Sequence, residues 1–148
     1  MKIKVYRIPK KEFEKEMGKY AYGLSADENG TPVIGIKDSI KSKRFIKGTI
    51  QHEVGHIFSE KRHITRKLPA AEKRRLIAEF REHEPFKKRK AYSSQEIMQE
   101  TIADLYGWST EPKHHFTRRM KRDFPETMKV IREERKKFKP KLIRRKYD

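Results

Sequence analysis

Cysteine is absent from the chain, which excludes disulfide bridges, thiolate metal sites and a cysteine nucleophile. Apolar residues (AVILMFWYC) make up only 34% and charged residues 41%, a balance that composition alone would allow for a disordered chain. No apolar run approaches the ~20 residues needed to cross a bilayer. The opening MKIKVYRIPKKEF has no apolar stretch of the signal-peptide kind, so a cytoplasmic setting is the expectation. Acidic residues are in short supply: 21 Asp and Glu face 39 Lys and Arg, a net charge of +18. What is present argues for a small core. Eight Phe, six Tyr and one Trp accompany periodic apolar stretches, and 148 residues suit one compact domain. Richness in Lys, Glu and Arg without Cys also suits a thermophile.

Residues 1 to 8 alternate, with Ile3, Val5 and Ile8 on one face, and predict a strand. A short helix is expected over Glu12 to Met17. Two β-prone runs then flank Asn29-Gly30, a pair that favours positive φ and predicts a hairpin. Asp38, Ser39 or Ser42 can cap a helix over 43 to 60, where Ile46, Ile50, Val54, Ile57 and Phe58 form one apolar stripe. A further helix is expected at about 70 to 83, between Pro69 and Pro85, followed by a basic linker from Lys87 to Lys90. Ser93-Ser94-Gln95-Glu96 is a capping-box pattern opening a helix to about Trp108, with Met98, Ile102 and Leu105 on its apolar face. Beyond Pro112 the chain is strongly basic, helical over Met128 to Phe138 and loose in its last eight residues.

Inside the apolar-striped helix lies His52-Glu53-Val54-Gly55-His56, an H-E-x-x-H pattern. Histidines at i and i+4 share a helix face, so both imidazoles can reach one cation. Glu53, one residue along, is placed to meet a metal-activated water, take its proton and pass it to a leaving amine. With 6 His in the chain, chance supplies only about 0.026 such matches. Gly55 costs about 1 kcal/mol in a helix interior, and a purely structural helix has little reason to keep it.

A catalytic zinc wants three protein ligands and an open position. A third histidine at the metzincin spacing is missing: Ser59 and Arg62 stand where Gly and His would, and His63 falls one residue late. The downstream helix offers Glu96, Glu100 and Asp104 on one face. Glu96 is taken by the capping box, and Asp104 has the shorter reach and suits orienting a ligand histidine. Glu100 is left as the third ligand. With Glu100-Thr-Ile-Ala-Asp104 following the histidine pair, the chain resembles the gluzincin clan of zinc metallopeptidases. It is most similar to the small archaeal minigluzincins, and to HtpX-like catalytic domains without their membrane helices. The resemblance covers about residues 20 to 108.

The resemblance implies a zincin-like α+β fold for residues 1 to 112: a small twisted, mainly antiparallel sheet on an active-site helix and a glutamate helix. Residues 113 to 148 would be a basic extension docked on the same domain. It also implies a peptide or protein substrate bound along an edge strand, expected at Thr31 to Ile36, and a residue that polarises the scissile carbonyl. His114, His115 and Tyr106 are the candidates for that residue, while His63 and His83 are expected to be solvated.

The basic tail, with Phe116, Phe124, Phe138 and Tyr147 interleaved, raises nucleic acid as a partner. That would suit an SprT-like protease, an ImmA/IrrE-type regulator, or an inactive zincin-fold binding module. Equally, the same aromatics could dock a helix, or the tail could lie in the cleft and keep the enzyme latent. Oligomeric state is left open between monomer and dimer.

Overall fold

The computed structural model describes residues 1–82, 92–111 and 113–145. Alternation makes the strands. In β1 (Lys2–Ile8) Ile3 and Val5 point to the buried face, and in β3 (Thr31–Lys37) the run from Pro32 is buried on both faces. Strand β2 (Gly23–Glu28) joins β3 through Asn29 and Gly30, both at positive φ (53° and 84°), as the hairpin reading requires. Asp27 Oδ1 accepts from the Gly30 N–H at 2.7 Å and fixes the turn.

The sheet differs from the expectation in three ways. Its order is β2-β3-β1-β4, with β1 parallel to both β3 and β4 and only β2–β3 antiparallel; the sheet is mixed rather than mainly antiparallel. Residues 31 to 36 therefore lie inside the sheet, and β2 is the edge strand on that side. Finally, Lys141–Arg145 is not a loose end but β4, whose Leu142 is paired opposite Ile3. Its mostly exposed, basic sequence carries no alternation to announce a strand.

Helices α1 (Lys10–Met17), α2 (Lys43–Lys61), α3 (Ile64–Lys67) and α4 (Ala70–Arg81) follow the order of the chain. They are succeeded by α5 (Ser94–Ser109), α6 (His115–Asp123) and α7 (Pro125–Lys137). Ser42 caps α2, its hydroxyl accepting from the Phe45 N–H. At α5 the capping box of Ser93 and Glu96 is complete in both directions. The N-terminus of α7 is capped from a distance: buried Glu72 of α4 accepts from the N–H groups of Glu126 and Thr127, at 3.2 and 2.9 Å, where a negative charge also meets the helix dipole favourably. Pro85, His83 and the 87 to 90 linker lie outside the described residues.

One core unites these elements. Ile34 and Ile36 of the sheet, Val54 and Phe58 of α2, Leu76 of α4, Ile102 and Leu105 of α5, and Met120, Phe124, Ile131 and Phe138 from the C-terminal segment belong to the same buried cluster. Residues 113–145 thus supply two helices, an edge strand and part of the core. Burial of Phe124 and Phe138 removes both rings from any base-stacking role.

The axis of the molecule is the α2–α5 contact. A Cβ on Gly55 would lie 2.7 Å from both the Cα and the carbonyl oxygen of Ala103. Gly55 therefore has the structural purpose that its helix-interior position did not suggest: it lets two backbones touch. Gly55→Ala gains about 1 kcal/mol in helix propensity but forces α2 and α5 apart against backbone, which no rotamer change relieves. A net loss of about 1–3 kcal/mol is expected, read by denaturant titration. A variant as stable as the parent would contradict the close approach.

Candidate metal centre

Because α2 and α5 run in contact, one face of each can meet across the same gap. His52 and His56, one turn apart on α2, present their rings edge-to-face with centroids 4.9 Å apart. Glu100, on the second turn of α5, reaches both: its Oε2 lies 3.1 Å from His52 Nε2 and its Oε1 3.1 Å from His56 Nε2. One turn further on, Asp104 Oδ1 accepts from His52 Nδ1–H at 2.8 Å. Donor atoms of His52, Glu53 and His56 all lie within 4.8 Å of one another, a group that could hold a metal ion. The five residues singled out in the sequence are brought together.

The electrostatics are those of a site made for positive charge. Burial works against a charged His52, but its hydrogen bonds to Asp104 and Glu100 outweigh that and raise its pKa to about 10. Burial likewise resists a charged Glu100, and the two imidazoles overcome it, lowering its pKa to about 2. Glu53 is different. It is buried against β2, and burial pushes its pKa up, opposed by the charges of His56 and His52. A carboxyl that ionises less readily than usual is suited to exchanging protons.

The site opens into a cleft of about 1130 Å³ lined by His52, Glu53, His56 and Glu100 together with Tyr20 to Ala26, Phe45, Thr49 and Tyr92. A second hollow, about 490 Å³, continues past His56 along Ser25, Asp27, Ser59, His63 and Arg66. Glu100 is the last residue in sequence to line the large cleft, so among the described residues no part of the C-terminal segment enters it. Among the described residues, the tail does not occupy the site.

The carbonyl-polarising candidates fare unevenly. Tyr106 is buried in the core, its ring 4.8 Å from Phe58, because its position on α5 faces the hydrophobic cluster. It cannot reach substrate. His115 does not line the cleft and packs its ring against His114 and Phe116. His114 accepts from the Phe116 N–H at 3.2 Å and lines a small hollow that meets His52 from the Asp104 side, away from the cleft. His63 is exposed, as expected. Tyr92 and Ser25, which do line the cleft, gave no signal in the sequence: one precedes a helix cap and the other sits in an ordinary strand. Compared with protein-family models, curated proteins and solved structures, the chain finds no match.

Proposed function

We propose that the chain is a zinc-dependent peptidase of the gluzincin type, in which His52, His56 and Glu100 hold the metal. The observation that carries this reading is a single carboxylate, Glu100, spanning two imidazole Nε2 atoms at 3.1 Å each. The donor set fits zinc. Bonds of about 2.0–2.2 Å in a tetrahedral shell set neighbouring ligand atoms about 3.3 Å apart, close to the separations already present. Two neutral imidazoles and one carboxylate also leave a fourth position open. Glu100 is assigned as the third ligand because each of its oxygens lies 3.1 Å from an Nε2 atom, and Glu53, which belongs to the same donor group, is assigned the proton transfer. The pairing of α2 with α5 beside a sheet edge supports a zincin-like arrangement.

Zinc, when bound, lowers the pKa of water to about 7 and polarises a carbonyl. The chain's own groups do the rest. Glu53 takes the proton that the attacking water sheds and delivers it to the amine nitrogen as the C–N bond breaks. Asp104, accepting from Nδ1–H, fixes the His52 tautomer with Nε2 aimed into the site. The outer edge of β2, which among the described residues pairs only with β3, offers backbone donors and acceptors to an extended peptide.

Purified without added metal, the protein should carry one zinc per chain and lose hydrolysis on chelation. Glu100→Ala should lose the zinc, and Asp104→Asn should keep the stoichiometry while weakening affinity about 10–100-fold. A metal-free, chelator-indifferent protein would overturn the reading. The exposed cations Arg118, Lys121, Lys129, Arg132 and Lys136 of α6 and α7, which form no ion pair among the described residues, favour a second reading: a peptidase that acts on proteins held on nucleic acid. DNA binding that falls steeply with salt, and is lost on reversing those charges, is its test; salt-insensitive or unaltered binding counts against it.

A further inference from the structure

Six large apolar side chains are exposed among the described residues, and four of them, Met17, Tyr20, Tyr22 and Phe45, line the one cleft that contains the histidine pair. Tyr20 is 77% exposed, and Tyr22 and Phe45 meet edge to face at 5.2 Å. A chain this poor in apolar residues gains nothing in stability from leaving them in water, and such clustering marks a binding surface. The patch adjoins the free edge of β2 at Gly23 to Ala26, which lines the same cleft.

The start of α2, beside this patch, is cationic in a way the helix itself does not favour. Helix α2 has no acidic residue in its first turn, and Lys41, Lys43, Arg44 and Lys47 are all exposed around its start. Positive side chains at a helix N-terminus oppose the dipole, and no ion pair within the described residues relieves these four. Arg44 itself lines the cleft beside Phe45, with Glu16 of α1 the one acid on the outer wall.

We infer that the cleft selects an extended acidic polypeptide segment: a large apolar side chain enters the Met17–Tyr20–Tyr22–Phe45 pocket while neighbouring carboxylates meet Arg44 in the cleft wall. This rests on the peptidase reading and supplies its substrate class. A single-stranded nucleic acid would also meet cations and aromatic faces, but it has no use for the strand edge of β2, which an extended peptide continues.

The test uses the zinc-loaded full chain and three peptides of equal length: one with Phe among Glu residues, one with Phe among Lys residues, and one with Ala among Glu residues. Cleavage of the acidic Phe peptide should exceed the other two in kcat/KM by about tenfold or more, with the charge preference shrinking as salt is raised. Arg44→Glu should abolish or reverse the charge preference. Phe45→Ala should remove the preference for Phe over Ala, and Leu142→Ala on the distant β4 should change neither. Equal cleavage of all three peptides would overturn the inference while leaving the peptidase standing. Acidic peptides that bind with the expected preference but are never cut would overturn the peptidase reading and keep the acidic ligand. Competition by oligothymidylate for the wild-type cleft, lost in Phe45→Ala, would replace the peptide with a nucleic acid and overturn the inference.

Discussion

Glu53→Gln is expected to leave the zinc in place and cut peptide hydrolysis by about 10²–10⁴-fold, the usual contribution of a general base. Glutamine keeps the shape of the side chain and its capacity to accept from Ser25, so the wall between β2 and α2 should be undisturbed. What it cannot do is take a proton. Because Glu53 is buried and its charged form is disfavoured by that burial, the neutral amide should not cost stability, and the melting temperature should stay level or rise slightly. Zinc content, thermal melting and peptide turnover measured on the same preparation separate these effects. A variant that loses zinc along with activity would make Glu53 a ligand; one that keeps full activity would remove it from the chemistry.

Removing residues 113 to 148 is expected to unfold the protein rather than activate it. The sequence leaves room for a tail that blocks the cleft, and for such a tail truncation near residue 112 would raise activity. The structure argues against that. Met120, Phe124, Met128, Ile131 and Phe138 are all buried in the common core, and burial of each such side chain is worth about 1.5–3 kcal/mol. Together that is on the order of 10 kcal/mol, comparable with the whole stability of a domain, about 5–15 kcal/mol. The deletion also strips β4 from β1 and takes Glu134 from Arg62 and Lys67, which it meets at 2.8 and 3.0 Å. Circular dichroism should show loss of the cooperative melt. A folded 1 to 112 fragment with raised activity would contradict this and restore the blocking tail.

Local chemistry in the sequence was a good guide to local structure. The apolar stripe from Ile46 to Phe58 and the Ser42 cap marked α2, the Ser93–Glu96 box marked α5, and Asn29-Gly30 marked the hairpin, because each depends on neighbours a few residues away. The candidate site residues were legible for the same reason: His52 and His56 share a face by helix periodicity alone, and Glu100 and Asp104 share another. The relation between those faces was not periodic information. It depends on Gly55 touching Ala103, which the sequence presents only as a costly glycine.

Sheet order was illegible. Nothing in residues 31 to 36 says that β1 will pair on one side and β2 on the other, and the parallel pairings join segments far apart in the chain. Strand β4 escaped notice because an edge strand rich in Lys and Arg looks like a solvated tail; such charges are a common protection for exposed edges. Tyr106 looked available because its burial depends on Phe58 and Phe138 closing over it. The cleft aromatics come from two separate stretches of chain, Tyr20 and Tyr22 from one and Phe45 from the other, and only the fold collects them.

The most direct test of the metal centre is anomalous diffraction at the zinc absorption edge from crystals of the full chain. The account predicts a single strong peak between His52 Nε2, His56 Nε2 and the Glu100 carboxylate, with Asp104 still hydrogen-bonded to His52 Nδ1. A site without zinc, or a peak held by other residues with Glu100 turned away, would contradict it.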